Sequence, residues 1–397
     1  MIAVVGASAA GLTAAQTLRR EGYHGPLTVI GDEDRMPYDR PPLSKQILSG
    51  AWGPEKVTIS STVDAEWLLG VRATGLDLSA RRLALSTGNT LEYDGLVIAT
   101  GVRPRRLPFG QDLAGVHVLH TLDDTLAFKA DLATARSVVI VGAGFIGSEV
   151  AAVASGKGVA VTIVDPLPAP MVTQFGPWVG GLVGKLHADH GVRLRMGVGV
   201  TGLVGDDRVN AVELSDGSTL PADVVLVAIG SVPNTEWLAG SGLSLSNGVD
   251  CDSLCQAGPG VVAAGDVASW THPAHGVRMR VEHRMNATEQ AVAAARTLLG
   301  KGEPYAPVPY FWTDQYDVKI QAYGTFPAGA RPSVAAGDVG SGRFAALFAQ
   351  ECLITGVLGW NLPRDTRQLR TRIGLRAPDA RPRESADSSL TTNSASP

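Results

Sequence analysis

The sequence predicts an α/β fold made of two similar strand–turn–helix units and a smaller α+β domain near the end of the chain. The prediction rests on two glycine-rich turns, at residues 6–11 and 142–147. Each turn follows a run of β-branched residues and precedes a stretch of good helix formers. Strands that alternate with helices in this way build a parallel sheet covered by helices.

The two units contain the same elements in the same order. In the first unit we expect strands at residues 2–5, 27–30 and 96–101 and a helix at 12–21. In the second we expect strands at 138–141, 159–164 and 224–230 and a helix at 148–154. A further apolar strand at 260–264 ends at Gly265 and Asp266.

The remainder of the chain predicts a separate, smaller domain. A helix is expected at 287–299, and a Pro- and Gly-containing linker follows at 301–309. Strand-like segments at 318–323 and 343–348 indicate the α+β domain. From residue 377 onward the chain is polar and has no apolar period, which predicts disorder.

These elements divide the chain into two strand–helix units, a smaller C-terminal domain at 303–376 and a tail at 377–397 that is expected to be disordered. A length of 397 residues and a hydrophobic content of 45% suit several packed domains.

Charge and composition exclude several classes of protein. A net charge of −4 argues against nucleic-acid binding, which usually needs a basic excess. No apolar run approaches the roughly 20 residues that span a bilayer. The first strand begins at Ile2, so we expect no targeting segment, no membrane association and a cytoplasmic location.

The glycine positions predict how each turn binds a dinucleotide. The first glycine makes a tight bend, the second lets the backbone approach a pyrophosphate, and the third lets the helix pack on the strand. The glycines are Gly6 and Gly11 in the first turn, and Gly142, Gly144 and Gly147 in the second. Ser8 replaces the second glycine of the first turn, and its small side chain is expected to be tolerated.

An acidic residue follows each turn by about 20 positions, where it is expected to bind ribose hydroxyls. Asp32, with Glu33 beside it, follows the first turn, and Asp165 follows the second. Residues 166–170 contain no cation that would bind a 2′-phosphate, so the second turn favours NADH over NADPH. Two dinucleotide sites in one chain indicate electron transfer between them.

Five further segments resemble the FAD-dependent ferredoxin reductases that serve oxygenase systems, of the putidaredoxin reductase and biphenyl dioxygenase reductase type. The segments are Pro-Tyr-Asp-Arg-Pro-Pro-Leu-Ser-Lys at 37–45, residues 99–105, 265–268, 281–290 and 310–316. The resemblance covers about residues 1–375. It implies FAD on the first unit and NADH on the second. It also implies that the FAD-binding domain is discontinuous, at 1–108 and 231–302, and that the NAD-binding domain at 109–230 interrupts it.

The resemblance also assigns roles to individual residues. Lys45 matches a lysine near flavin N5, Glu149 matches the acid that pairs with it, and Phe145 matches an aromatic residue that gates the nicotinamide pocket. A simple surface ion pair stays open as the alternative for Lys45 and Glu149. Other expected cofactor contacts are Ala10 and Gly11 at the FAD pyrophosphate, Asp32 at the adenosine ribose, Asp266 at the ribityl or phosphate end, and Arg40, Ala73, Thr100, Ile146, Gly230, Arg284 and Trp312.

Two residues depart from the family pattern. His120 stands where an arginine often contacts FAD, so one contact is expected to be weaker. Arg284 stands where an aromatic or apolar residue is common. Three roles stay open for Arg284: it lies over the ring system, it faces the partner, or it stabilises the anionic reduced flavin.

The cysteines and histidines predict neither a redox disulfide nor a metal site. Residues 37–50 contain no cysteine to react beside a flavin. Cys251 and Cys255 are interpreted as buried thiols, with metal or redox use of this pair as the alternative, and Cys352 as a core residue. His272, His275 and His283 lie close in sequence but lack the spacing of metal ligands.

Without a cysteine, the flavin is expected to pass electrons directly to a protein carrier. The hypothesis is an enzyme, an NADH–ferredoxin reductase whose partner is an acidic two-iron two-sulfur ferredoxin that feeds an oxygenase. Candidate steering residues are Arg278, Arg280, Arg284, Arg364, Arg367, Arg370 and Arg372. The alternatives are a reductase for rubredoxin or a quinone, a peroxide-forming oxidase, and a redox-sensing flavoprotein with weak turnover.

Overall fold

A computed structural model describes residues 1–274 and 276–377 of the chain. His275 and residues 378–397 lie outside the described residues, so the disorder expected for the tail beyond Ala377 falls outside them as well. The predicted fold class is confirmed.

Six α-helices, named α1 to α6 in chain order, occupy the described residues. They are Ala9–Arg20, Leu122–Leu132, Phe145–Gly156, Val172–Asp189, Arg284–Leu298 and Pro363–Leu369. A π-helical turn at Leu43–Ile47 and 3-10 turns at Pro54–Val57, Glu236–Leu238 and Arg370–Arg372 supplement them. None of the helices in the described residues is both long and apolar enough to cross a membrane.

The first large sheet has six strands and forms the centre of the first unit. Their order across the sheet is Gln256–Gly258, Val261–Ala263, Gly95–Ile98, Ile2–Val5, Leu27–Gly31 and Glu66–Leu69. All neighbours are parallel except the first pair. The strand Val261–Ala263 comes from beyond the second unit and completes the sheet of the first.

Helices α1 and α5 bury apolar faces against this first sheet. Ala14, Leu18, Ala291 and Ala294 are fully buried in the core that they share with the strands. Small residues on both helices allow close packing, which is why this core contains many alanines. The packing places the first residues of α1 beside the carboxyl ends of the central strands, where parallel sheets bind ligands.

The second large sheet has five parallel strands. Their order is Arg193–Met196, Ala160–Asp165, Ser137–Val141, Val224–Val227 and Val116–His117. The central strands are almost wholly buried, so they read as continuous apolar runs rather than alternating ones.

Helix α4 joins the second unit to the C-terminal domain. The sequence did not predict it, because Gly176, which adopts a φ of 81°, and Pro177 interrupt the helical pattern and kink the helix. Its buried Phe175, Val179 and Val183 pack in one cluster with residues of the C-terminal sheet. The two domains therefore share a hydrophobic core.

The C-terminal domain is a five-stranded antiparallel sheet with α6 packed against it. The strand order is Tyr310–Gln315, Val318–Gly324, Leu353–Trp360, Arg343–Gln350 and Arg331–Asp338. Residues 301–309 form neither helix nor strand, as the predicted linker requires. The placement of Cys352 in a core was wrong: Cys352 is only half-buried and has a φ of 69° in the turn between two strands.

Smaller sheets complete the described structure. They are Ala73–Asp77 with Arg82–Leu85 and Thr90–Glu92; Val200–Val204 with Ala211–Leu214 and Thr219–Pro221; Leu245–Ser246 with Gly248–Cys251, Ala268–Thr271 and Arg278–Met279; and Val102–Pro104 with Ser231–Pro233. The last pair is antiparallel and lies where the chain passes from the first unit to the second and back again. We propose 1–108 with 231–302, 109–230 and 303–376 as the domains.

Candidate active site

The first glycine turn has no room for side chains at two of its positions. Gly6 has a φ of +118°, and a Cβ there would lie 2.0 Å from the carbonyl oxygen of Ala99. A Cβ on Gly11 would lie 1.7 Å from the carbonyl oxygen of Gly6. Ser8 is the N-cap of α1, but its side chain makes no capping hydrogen bond. The N-terminus of α1 thus keeps free N–H groups for an anion.

The second turn repeats this geometry. A Cβ on Gly142 would lie 2.3 Å from the carbonyl oxygen of Ala228, and one on Gly147 would lie 2.0 Å from that of Gly142. Gly144 differs, because its Cβ would meet only the side chain of Gln174, at 3.9 Å. The fold therefore leaves space at Gly144.

One large cavity of about 1240 Å³ connects the two turns. Its lining includes fifteen of the predicted site residues: Gly6, Ser8, Ala10, Asp32, Arg40, Lys45, Ala73, Thr100, Phe145, Ile146, Glu149, Gly230, Asp266, Arg284 and Trp312. The other five belong to the glycine turns or contact them but do not line the cavity: Gly11, Gly142, Gly144, Gly147 and Asp165. The cofactor contacts expected of all these residues stay predictions.

A buried ion pair links the two units inside the cavity. Lys45, on the π-helical turn of the first unit, lies with its Nζ 2.6 Å from Oε2 of Glu149 on α3. Only 12% of the Lys45 side chain and 6% of the Glu149 side chain are exposed. This low exposure distinguishes the pair from the surface ion pair that the sequence left open.

Two hydroxyl groups that sequence reasoning missed complete the surroundings of Glu149. Ser44 donates from Oγ to Glu149 Oε2 at 2.5 Å, and Thr313 donates from Oγ1 to Glu149 Oε1 at 2.8 Å. Ser44 belongs to the first unit and Thr313 to the C-terminal domain. Both residues lie inside the segments that carry the family resemblance, which was the available signal.

The acids after the first turn have different surroundings. Asp32 is exposed and lies 3.5 Å from Nε of Arg72. Glu33 instead accepts hydrogen bonds from the Tyr38 hydroxyl, at 2.6 Å, and from Arg40 Nη2, at 2.7 Å. Asp32 is therefore the acid that remains accessible at the cavity.

Asp165 secures the second turn from its own strand. Its Oδ2 accepts a hydrogen bond from the backbone N–H of Ala143 at 2.7 Å, and its Oδ1 accepts one from that of Leu167 at 2.8 Å. The carboxylate keeps further lone pairs for a ligand hydroxyl.

His120 lies at the cavity beside Arg40, whose Nη1 donates to the His120 carbonyl oxygen at 3.2 Å. Burial, assisted by the Arg40 charge, lowers the pKa of His120 to about 3. The imidazole is therefore neutral at physiological pH, so it does not replace the charge of an arginine at this position.

Asp266 lies in the cavity at the end of the strand that completes the first sheet. Burial, together with the nearby Glu282 carboxylate, raises the pKa of Asp266 to about 7. The preceding residue, Gly265, donates its backbone N–H to Oε1 of Gln290 at 3.0 Å. The turn that carries Asp266 is thus fixed to α5.

Arg284 is held by neighbouring polar groups. Its Nε donates to Oδ1 of Asp39 at 2.7 Å, and its Nη1 bonds the Thr288 hydroxyl. Arg284 also lines the cavity, so it neutralises Asp39 while it faces the binding space.

Aromatic rings close the cavity at the second turn. Phe145 packs edge-on against Phe311, with 5.3 Å between ring centroids, and against Phe175, at 6.0 Å. His283 lies 4.3 Å from Phe311, and burial lowers the pKa of His283 to about 4. This wall combines Phe145 and Phe175 of the second unit, Phe311 of the C-terminal domain and His283 of the first domain.

None of the described residues that line the cavity is a cysteine. Cys251 and Cys255 are buried in the core around the first sheet, where burial raises the pKa of the Cys251 thiol to about 12 and that of Cys255 further. Among residues 1–274 and 276–377, no group of three or more His, Cys, Asp and Glu side chains is arranged to hold a metal ion.

Two family models match the chain. One, described as pyridine nucleotide-disulphide oxidoreductase, covers residues 1–295, and the other, described as reductase C-terminal, covers residues 310–395. The chain belongs to the pyridine nucleotide-disulphide oxidoreductase family. Members of the family use FAD and NAD(H), and the crowded turns, uncapped helix N-terminus and shared cavity fit both groups.

Individual relatives are similar over nearly the whole chain. Rhodocoxin reductase of Rhodococcus erythropolis is 36% identical over 394 residues, which cover 97% of this chain and 92% of that protein. The ferredoxin–NAD(+) reductase component of the biphenyl dioxygenase system of Paraburkholderia xenovorans is 36% identical over 390 residues, or 95% and 94% of the two chains. The expected resemblance to such family members is confirmed.

A solved structure of the covalent putidaredoxin reductase–putidaredoxin complex also matches. Its TM-score is 0.90 at 32% identity, and the match covers 95% of this chain and 93% of that chain. The family member described here therefore has the same arrangement of two nucleotide units and a C-terminal sheet.

Proposed function

We propose that this chain takes hydride from NADH onto FAD and passes the electrons singly to a ferredoxin that serves an oxygenase. The observation that carries the proposal is the buried Lys45–Glu149 pair, which joins the two nucleotide units inside one cavity. Relatives named as ferredoxin reductase components of oxygenase systems support the choice of acceptor.

FAD, when bound, supplies a ring that accepts hydride and releases electrons one at a time. The chain supplies the surroundings of that ring. Lys45 would place a positive charge where hydride transfer creates negative charge, and Glu149 holds the ammonium group in position. Ser44 accepts a hydrogen bond from Lys45 Nζ at 3.2 Å, so it restrains the lysine further.

We assign FAD to the first unit and NADH to the second. The first turn and the N-terminus of α1 would bind the FAD pyrophosphate, with Asp32 near the ribose and Asp266 at the ribityl or phosphate end. The second turn would bind the NADH pyrophosphate, and Phe145 would lie at the nicotinamide. The carboxylate of Asp165 disfavours a 2′-phosphate, so NADH is the expected donor. A cytoplasmic location accompanies this function.

The partner is proposed to be an acidic two-iron two-sulfur ferredoxin, steered by arginines of the C-terminal domain. Two of the candidate arginines are already neutralised: Arg278 lies 3.2 Å from Asp250, and Arg280 lies 2.6 Å from Glu282. Arg284 is paired with Asp39 in the same way. Paired charges contribute little to a long-range attractive field.

The remaining candidates form the C-terminal arginine cluster, defined as Arg364, Arg367, Arg370 and Arg372. Within the described residues, none of these four forms an ion pair, and the first three are exposed. An unpaired basic cluster attracts an acidic protein even when the whole chain is slightly acidic.

A row of aromatic rings runs from the cavity toward this cluster. Trp312 lines the cavity and lies 5.9 Å from Tyr310, centroid to centroid. Tyr310 lies 4.5 Å from Tyr323, and the Arg370 guanidinium lies 5.6 Å from the Tyr323 ring. The row supports docking of the ferredoxin at the C-terminal domain, close to the cavity edge that Trp312 lines.

The function is tested by anaerobic mixing of the FAD-loaded protein with NADH, followed by addition of purified carriers. We expect rapid loss of the oxidised flavin absorbance, then rapid reduction of a two-iron two-sulfur ferredoxin. Faster reduction of rubredoxin or of a quinone would show that this carrier, and not a ferredoxin, is the preferred acceptor. A long-lived charge-transfer band with little turnover would instead support the redox-sensing alternative.

Electrostatic steering has a separate test. Arg370→Glu is expected to slow ferredoxin reduction and to weaken its dependence on salt, whereas reduction of ferricyanide changes little. Arg193→Glu, at an exposed arginine of the second sheet, is the matched control. If wild-type ferredoxin reduction is insensitive to salt, the steering hypothesis is wrong.

A further inference from the structure

Glu149 is a buried carboxylate whose two oxygens have different partners. Oε2 accepts hydrogen bonds from Lys45 Nζ and from the Ser44 hydroxyl. Oε1 accepts one from the Thr313 hydroxyl, and within the described residues it has no other side-chain donor. Glu149 itself is 5% exposed, so solvent does not replace a missing donor easily.

Thr313 reaches this position because of the alternation of its strand. Successive side chains of Tyr310–Gln315 point to opposite faces of the sheet. Thr313 and Gln315 therefore share one face, and both are fully buried. Tyr310 and Trp312 lie on the opposite face, where the aromatic row begins.

Gln315 orients the Thr313 hydroxyl. Its Nε2 lies 3.4 Å from Thr313 Oγ1 and 3.4 Å from the sulfur of Met171. Because the amide donates to Oγ1, the hydroxyl proton of Thr313 is directed toward Glu149. Met171 in turn donates its backbone N–H to the carbonyl oxygen of Ala143 at 2.9 Å, within the second glycine turn.

We propose that Thr313 is a positioning residue through which the C-terminal domain holds the Lys45–Glu149 pair in place for hydride transfer. This inference rests on the proposed function. A buried carboxylate that loses its donor at Oε1 rotates toward its remaining partners or takes up a proton. Either response moves the Lys45 ammonium group or weakens its ion pair with Glu149. The replaced residue, Thr313, bonds Glu149 and not Lys45.

The test compares variants of the FAD-loaded full chain. Thr313→Val removes the hydroxyl at nearly constant volume, and Thr313→Ser retains it. Thr313→Cys keeps a weak donor and serves if the valine variant does not fold. The matched control is Thr366→Val, because Thr366 is also fully buried in the C-terminal domain but donates to the Leu362 carbonyl oxygen.

The first readout is the rate of flavin reduction by NADH as a function of pH. Loss of one hydrogen bond to a charged group is expected to slow reduction by about tenfold in Thr313→Val, and the acidic limb of the profile should move to higher pH. Thr313→Ser should stay within about twofold of wild type, with the cysteine variant between them and Thr366→Val unchanged.

The second readout does not depend on activity. The infrared carboxylate band of Glu149, identified as the band lost in Glu149→Gln, should shift in Thr313→Val and not in Thr366→Val. An unshifted band and a wild-type pH profile in Thr313→Val would overturn the inference, as would a serine variant as slow as the valine variant. A wild-type chain that NADH does not reduce would overturn the proposed function and the inference together.

Discussion

Arg284 and Asp39 are 245 positions apart in the sequence and form an ion pair, in which Nε of the arginine lies 2.7 Å from Oδ1 of the aspartate. The pair joins the N-terminal end of α5 to the segment that also carries Lys45. It bears on the three roles left open for Arg284, because the guanidinium is held beside the cavity by a group of opposite charge. Its net field at the cavity is therefore the difference between two opposed charges.

Breaking this pair from either side is expected to shift the midpoint potential of bound FAD in opposite directions. Asp39→Asn leaves Arg284 unbalanced and favours the negatively charged reduced flavin, so the potential rises. Arg284→Leu leaves Asp39 unbalanced and lowers it. Each shift should be on the order of 1 kcal/mol, or about 20 mV for the two-electron couple. Dye-coupled redox titration measures both, and shifts of the same sign would contradict the argument.

Replacing Lys45 alone and together with Glu149 distinguishes the contribution of the pair to stability from its contribution to flavin reduction. Lys45→Met alone leaves a buried carboxylate without its cation, which should cost roughly 3 kcal/mol or more of stability. The double variant Lys45→Met with Glu149→Gln should recover most of that stability. Both variants should reduce FAD with NADH about 100-fold more slowly than wild type, because both lack the positive charge. Thermal unfolding and anaerobic stopped-flow absorbance provide the two measurements.

If the double variant reduces FAD at the wild-type rate, the pair has only a structural role. Wild-type flavin reduction in Lys45→Ala would lead to the same conclusion by a second route.

The two glycines at the start of the second turn should respond differently to substitution. Gly142→Ala places a Cβ only 2.3 Å from the Ala228 carbonyl oxygen and imposes an unfavourable φ, so it should destabilise the fold by several kcal/mol. Gly144→Val has open space and an extended backbone, so stability should change by less than about 1 kcal/mol. Its side chain would occupy the approach to the turn, and the KM for NADH should rise several-fold.

Steady-state kinetics and thermal unfolding of both variants test this contrast. An unchanged KM in Gly144→Val would place the NADH pyrophosphate elsewhere.

His187 makes the junction between α4 and the C-terminal domain sensitive to acid. It is fully buried, its Nδ1 lies 3.0 Å from the Tyr316 hydroxyl, and His190 stacks on the same tyrosine ring at 3.7 Å. Burial, with a smaller contribution from His190, lowers the pKa of His187 to about 4 from its ordinary 6.5. The folded chain therefore binds a proton at this site less readily than the unfolded chain does.

Its contribution to stability is consequently present above pH 6.5 and is lost as the pH falls toward 4. At pH 5 the loss should be roughly 2 kcal/mol. His187→Gln retains a polar group for Tyr316 but does not titrate, so its unfolding temperature should fall less between pH 7 and pH 5 than that of wild type. Equal falls in the two proteins would exclude His187 as the source of acid sensitivity.

The local pattern of the sequence was sufficient to predict the two nucleotide units. Gly6, Gly142 and the acids that follow each turn obey constraints that act over about 20 to 30 residues, so their spacing alone indicates the arrangement. The resemblance also predicted that Lys45 pairs with Glu149, and the structure shows these two side chains in contact.

Contacts that depend on the packing of domains were not accessible in this way. The resemblance marked the segment that contains Thr313 but not the contact of its hydroxyl with Glu149, because that contact exists only after α4 and the C-terminal sheet have formed a shared core. Cys352 was misplaced because its apolar neighbours occupy strands, whereas the cysteine itself turns the chain between them.

The discontinuous first sheet also constrains how the protein is made. Its strand Val261–Ala263 follows the entire second sheet in the chain, so a ribosome must synthesise the second sheet before the first is complete. Thr313 emerges later still. We therefore expect a nascent chain, or a prematurely terminated one, to complete the second sheet first, then the first sheet, and the full set of contacts around Glu149 last. Truncated products that can bind nucleotide but lack that third contact would hold the lysine loosely, which makes completion of translation the final step in assembling a competent site.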